Sequence, residues 1–277
     1  MNETALKERL SVIAKEKGIT FNECWKQLVL ERFLARIAES KHKNKLIFKG
    51  GFLLSYALET ERETMDLDFL LTRTKAQIDS IQKMLESVAA VDLGDGFKFS
   101  WSKFQELSQP HMEYTGYRIH FSVTFGKMRD AVQIDLGIGD EVLPEERELK
   151  LFSYKGKAVF EEKISLMVYP LESVFSEKLH ALVSHGKANS RMKDYHDLWI
   201  MVRDKKVKSR ALKKAINETF GQRDIEFSAP IVFTDDDLVE LQRTWRAYRS
   251  KQKSEGLPAG IVDVMKAINS FLKEMNF

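Results

Sequence analysis

The eight residues TMDLDFLL, numbers 64–71, place two acids inside a run that otherwise belongs in a buried strand. Side chains alternate along a strand, so Asp66 and Asp68 share one face while Met65, Leu67, Phe69 and Leu71 take the other. Two like charges this close repel each other and resist loss of water, so such a pair sits either at a solvated strand end or around a cation. Mg2+ suits the second case, because it prefers hard oxygen ligands and bridges carboxylates to substrate phosphates. The segment AVQIDLGI, residues 131–138, repeats the arrangement: Val132, Ile134, Leu136 and Ile138 face one way, Gln133 and Asp135 the other. Three carboxylates, Asp66, Asp68 and Asp135, converge if these two strands pair.

What precedes the acids narrows the choice. Gly50 and Gly51 follow the short strand pattern KLIFK and open a helical pattern over residues 52–59. A glycine pair permits close backbone approach, and a helix start offers free N–H groups at the positive end of its dipole, a place for phosphate. Gly51 brings no side-chain hydroxyl, so any phosphate contact there is a backbone one.

The remaining pattern predicts an α+β protein. Residues 2–17 read as a helix stopped by Gly18, and Thr20 with Glu23 reads as a capping box starting a second helix that ends near Glu39. Residues 75–90 look helical; residues 97–138 turn to β, with FKFSWSKF, YRIHFSVTF and DAVQIDLGI as strands of a mixed sheet. A last strand, KISLMVY, stops at Pro170, and helical patterns follow at 171–185, 190–204, 209–220, 235–252 and 260–275. The expected division is residues 1–169, a sheet flanked by helices, and 170–277, a helical domain that completes the active site. With 277 residues, 43% of them hydrophobic, the chain can build real cores, and a formal charge of +3 marks no overall bias toward nucleic acid. One cysteine, Cys24, and a charged N-terminal helix lead us to expect a cytoplasmic protein, with no apolar stretch long enough for a membrane.

The helical half carries one lysine out of place. Over residues 171–185, Leu171, Val174, Phe175, Leu179 and Leu182 form an apolar stripe with Lys178 near its middle. That amine either snorkels outward, pairs with a buried acid, or meets an anionic ligand such as a nucleoside triphosphate. In the next helix Ser190 reads as the N-cap, Arg191 points into the apolar face from the first turn, and Asp194 borders it as dipole-favourable decoration, as a salt-bridge partner, or as a functional acid. His196 reads as a solvated residue beside an exposed face. Two basic stretches, residues 203–214 and 243–253, suit either solvent or a phosphate backbone, and Trp245 within the second is expected in the core.

These residues together resemble a known family. The run IFKGGFLLSYALETERETMDLDF, with EKLHAL and RMKDYHDLW further on, is similar to the AbiEii/AbiGii toxins of the nucleotidyltransferase (polymerase-β-like) superfamily, over residues 46–204. The resemblance implies a nucleotidyltransferase-like mixed sheet with a helical C-terminal domain. It also implies Mg2+-dependent nucleotide transfer from an NTP to an acceptor, in particular RNA at the tRNA 3′ end, and a cognate antitoxin as partner. By the same resemblance Gly50 and Gly51 are the glycine turn, and Asp66, Asp68 and Asp135 the metal-binding acids. Lys178 contacts the triphosphate, Asp194 is a further functional acid, and Arg191 is a nucleotide contact. Arg62 is either one more positive contact or a solvated loop charge. A non-catalytic nucleotide- or RNA-binding regulator is the competing expectation, as is transfer to a small molecule or a protein hydroxyl.

Overall fold

The computed structural model describes residues 1–58, 64–72, 77–107, 116–138, 142–186, 191–252 and 256–277. The chain divides into two compact units: Met1–Tyr56 with Glu63–Tyr169, and Ala57–Arg62 with Pro170–Phe277.

The first unit opens with two helices, α1 (Glu3–Glu16) and α2 (Phe21–Glu39). Asn2 caps α1 by accepting from the Ala5 N–H, and Thr20 with Glu23 closes a reciprocal capping box on α2. Then come β1 (Leu46–Lys49), α3 (Gly50–Leu58), β2 (Asp66–Leu71) and α4 (Ile78–Ala89). The strands β3 (Lys98–Leu107), β4 (Gly116–Phe125), β5 (Met128–Ile138), β6 (Glu145–Lys150) and β9 (Lys163–Val168) complete a seven-stranded mixed sheet, ordered β3-β4-β5-β2-β1-β9-β6. Two two-residue strands, β7 (Ser153–Tyr154) and β8 (Lys157–Ala158), pair as a separate hairpin. Strand β2 runs parallel to β5 and antiparallel to β1, which makes it the strand where the two halves of the sheet join.

One face of the sheet is apolar across its central strands, with Phe48, Leu67, Phe69, Phe121, Ile134 and Leu136 all buried. Phe33 of α2 packs against Phe99 and Phe121, so α2 covers this face and aromatic contact area dominates the seam. Helix α2 also carries charge inward. Arg32 and Arg36 are buried and both pair with Asp95, and Arg32 pairs with Glu161 as well. Breaking such a cluster from one side would strand a buried charge. Glu31, 1% exposed, accepts from the Phe152 N–H at 2.8 Å and from the Tyr56 hydroxyl, which ties α3 to α2.

The second unit is helical: α5 (Leu171–His185), α6 (Met192–Arg203), α7 (Ser209–Gly221), α8 (Asp235–Arg249) and α9 (Ile261–Glu274). Its core is made by Phe175, Leu179, Leu198, Leu212, Trp245 and Ile268. Ser176 donates to the Ala215 carbonyl and Glu172 accepts from the Lys208 N–H, which locks α5 to α7. Trp245 is fully buried and donates to the Pro258 carbonyl. Among the described residues no helix is long and apolar enough to cross a membrane.

Burial pushes the Glu31 carboxyl up to about 8 from an ordinary 4.5. A raised folded-state pKa means the folded protein holds this proton more tightly, so the contribution to stability is present at low pH and is lost as pH climbs from about 4.5 to about 8. Glu31→Gln keeps an acceptor for Phe152 without a proton to lose. Its stability relative to the parent, measured by denaturant unfolding at a series of pH values, is expected to rise through that window by up to about 1.4 kcal/mol per pH unit. It should then level off above it.

Candidate active site

The register of the sheet decides which charges meet. Lys49 of β1 lies opposite Asp68 of β2, Asp68 opposite Asp135 of β5, and Asp135 opposite Arg118 of β4, so the four form one row on one face. The adjacent row holds Asp66, Gln133 and His120. All of these side chains are partly exposed, whereas Leu70, further along the same face beside Ile47, is buried. The acids therefore occupy the uncovered end of a sheet face whose other end is closed.

Turning from β1 into α3 requires Gly50 for two reasons. Its φ is +73°, a conformation that side chains disfavour. A Cβ there would also overlap the Asp68 carboxylate. The next residue, Gly51, gives its backbone N–H to that same carboxylate. The first turn of α3 thus receives an Asp68 oxygen, and this is the job the glycine pair performs in the structure. At this helix start, where the sequence leads us to expect a phosphate, the Gly51 N–H is directed at the carboxylate and ties Asp68 to the turn.

Asp68 is nevertheless poorly compensated. Burial, then the charges of Asp66 and Asp135, push its carboxyl up to about 6 from an ordinary 3.8, against the opposing pull of Lys49 and the Gly51 N–H. Lys49 lies over the Tyr169 ring, 4.7 Å from its centroid. Asp135 has a different fate. Arg118 clamps it through two parallel contacts, Nε to Oδ1 at 2.8 Å and Nη2 to Oδ2 at 2.7 Å. Asp135, joined by Asp66 and Asp68, holds the Arg118 guanidinium still further above its usual range. Among the described residues no three His, Cys, Asp or Glu side chains gather as a ready metal cage. Asp66 and Asp68 supply two donors and the third acid is held by Arg118. The donor chemistry fits a hard divalent cation: paired carboxylates on one strand, one of them desolvated and short of positive charge.

In the helical unit Lys178 has found partners. Its Nζ sits 2.6 Å from Asp194 Oδ1 and 2.9 Å from Asp197 Oδ2, both carboxylates on α6 and both almost fully buried, while the lysine side chain keeps 14% exposure. The amine is therefore held by two buried acids, with part of the lysine side chain left accessible. Arg191 is the N-cap residue of α6 and pairs with Asp194 Oδ2 at 3.1 Å. Its side chain is 67% exposed, so it does not enter the apolar face as its helical position had suggested. Ser190 and Arg62 lie outside the described residues. His196 also departs from expectation: it is 1% exposed, with Nδ1 2.7 Å from the Tyr248 hydroxyl, because α8 packs over that side of α6.

Four residues that the sequence did not single out enter here: Lys49, Arg118, Asp197 and Tyr248. Alternation along YRIHFSV does put Arg118 on the polar side of its strand, and the i, i+3 spacing of Asp194 and Asp197 does put both on one side of α6. Pairing partners were the missing information.

The arrangement belongs to a recognisable class. The fold is shared with JHP933 from Helicobacter pylori, at 9% identity and a TM-score of 0.52, covering 92% of each chain. It is shared also with a second H. pylori protein, described provisionally as a nucleotidyltransferase, at 10% identity and a TM-score of 0.50, covering 93% of this chain and 96% of that one. A mixed sheet presenting paired acids next to a glycine turn is a nucleotidyltransferase fold. The family model described as "Nucleotidyl transferase AbiEii toxin, Type IV TA system" matches residues 32–272, and the chain belongs to that family. It is accordingly a nucleotidyltransferase, and a nucleotide substrate and an antitoxin partner follow from membership. Comparison with curated proteins gives no significant match.

Asp68 supplies a direct check on these electrostatics. Its raised pKa means that the metal-free protein loses stability as pH rises from about 3.8 to about 6. Asp68→Asn retains an acceptor for Gly51 and removes the repulsion. It is expected to raise the metal-free unfolding free energy at pH 7.5 by an amount of order 2 kcal/mol, seen as a higher thermal midpoint, and to change it little at pH 4. Calorimetry at the two pH values measures the difference.

Proposed function

We propose that this protein transfers a nucleotide from an NTP to the 3′ end of an RNA, with tRNA as the favoured acceptor, and that the reaction depends on Mg2+. The observation that carries the proposal is the row on the sheet, where Asp68 is half-buried beside Asp66 and Asp135 with its carboxyl pushed up to about 6. Asp66 and Asp68 would hold the metal, and Asp135 would join them during turnover. A bound Mg2+ would supply polarisation of the α-phosphate and a lowered pKa for the attacking hydroxyl.

The chain's own groups account for the rest. Gly50 and Gly51 keep Asp68 fixed to the first turn of α3, so one ligand is positioned before substrate arrives. Lys178 carries the cation that meets the triphosphate. Asp194 and Asp197 hold that amine in place, and Arg191 adds a second positive group from the start of α6. Arg62, shortly before Asp66 in the sequence, is the candidate for a further phosphate contact, with a solvated loop charge as its alternative. For the acceptor, support comes from the family resemblance and from Lys205, Lys208 and Arg210, which are exposed cations around the start of α7 suited to a phosphate backbone.

Incubation of the purified protein with each labelled NTP, Mg2+ and total tRNA is the test. Transfer of label to tRNA is expected, with losses of about 100-fold or more in Asp68→Asn and in Lys178→Ala. Asp68→Asn should lose transfer while its fold is at least as stable, which separates chemistry from unfolding. NTP binding without transfer to any RNA would overturn the proposal in favour of a regulator; transfer undiminished by Asp68→Asn would remove the metal pair from the mechanism.

A further inference from the structure

The bidentate Arg118–Asp135 pair poses a problem for a site built to receive a divalent cation. Both Asp135 oxygens are engaged, at 2.8 and 2.7 Å, and the guanidinium lies within the field of Asp66 and Asp68 as well. A fork matched to a carboxylate in this way is among the stronger charge-assisted contacts a protein makes. A cation entering between the acids would meet a fixed positive charge that already neutralises one of them. The guanidinium is not locked in, however: the Arg118 side chain is 36% exposed while that of Asp135 is 19% exposed. A fork that fits a carboxylate fits a phosphate equally well.

We propose that Arg118 is a resident counter-ion that occupies Asp135 in the nucleotide-free protein and exchanges it for a substrate phosphate when the metal–nucleotide complex arrives. In the resting protein the guanidinium offsets repulsion among the three acids and keeps a free divalent cation from binding tightly. On arrival of nucleotide the guanidinium moves to a phosphate oxygen and Asp135 becomes a ligand. No covalent bond changes in this step; one ion pair is replaced by two. The exchange makes metal and nucleotide enter together, because each removes the partner that obstructs the other. Lys49 cannot take this role, since it sits on the far side of Asp68 in the row, over Tyr169.

This inference rests on the metal reading proposed above, and the experiment separates the two. Mn2+ binding to the full chain without nucleotide is followed by loss of the free-ion EPR signal in the parent, Asp68→Asn, Arg118→Gln and Arg118→Gln/Asp135→Asn. Arg118→Gln is expected to tighten Mn2+ binding about tenfold or more, equivalent to roughly 1.4 kcal/mol, and the double variant to cancel the gain. The KM for NTP is expected to rise in Arg118→Gln as its phosphate contact disappears. If Asp68→Asn leaves Mn2+ binding intact, the metal reading itself fails. If Asp68→Asn abolishes binding but Arg118→Gln leaves the affinity unchanged or weakens it, or leaves the KM for NTP where it was, only the exchange is overturned. Should Arg118→Gln fail to unfold cooperatively, Arg118→Lys takes its place: a single-point contact to Asp135 should give a smaller tightening, and none would refute the exchange.

Discussion

Mutual repulsion between carboxylates that β-sheet register forces together is the constraint around which this protein is arranged. Asp68 stands opposite Asp135 and two residues from Asp66, on a face partly closed to water. Nothing in a folded chain gains from that placement by itself. The surroundings offset it piecemeal: Lys49 on one side, the Gly51 N–H from α3, and Arg118 beyond Asp135. The compensation is incomplete, and under the proposed function the residual deficit of positive charge at Asp68 is what a metal-bound nucleotide would relieve. On that reading stability is traded for a site that takes a cation.

The helical unit treats its cation in the complementary way. Lys178 projects from an apolar helix surface and is held by Asp194 and Asp197, which are themselves nearly inaccessible. Two buried acids around one amine leave excess negative charge unless further positive groups join them, and Arg191 does so from the N-cap of α6. The helical unit thus fixes its amine by packing the two acids inside and leaving part of the lysine exposed. Such preorganisation is what phosphoryl chemistry demands, because most of its barrier is lowered by positioned charge.

Much of this was legible in the sequence because local physics dominates it. The helix over residues 171–185, the Thr20–Glu23 capping box and the strand alternation of residues 64–71 follow from short-range periodicity and capping, and each element forms where those rules place it. Strand β6 was not legible, since its sequence EERELK carries no apolar alternation; it is a charged edge strand that relies on β9 for its pairing. The hairpin of β7 and β8 is too short to signal itself. Within the site, the residues on the polar face could be enumerated, but not which of them would stand opposite which. Register is a long-range property, so the Lys49–Asp68 and Asp135–Arg118 neighbours emerged only in three dimensions. His196 shows the same limit: its burial depends on α8, more than thirty residues further along the chain.

The central claim is that Asp66 and Asp68 bind a divalent cation next to the glycine turn. Anomalous diffraction from crystals grown with Mn2+ and a non-hydrolysable NTP tests it most directly. A peak about 2.1 Å from oxygens of both Asp66 and Asp68, with Asp135 released from Arg118, is the expected result. Nucleotide bound with no anomalous peak at these two carboxylates would contradict the account.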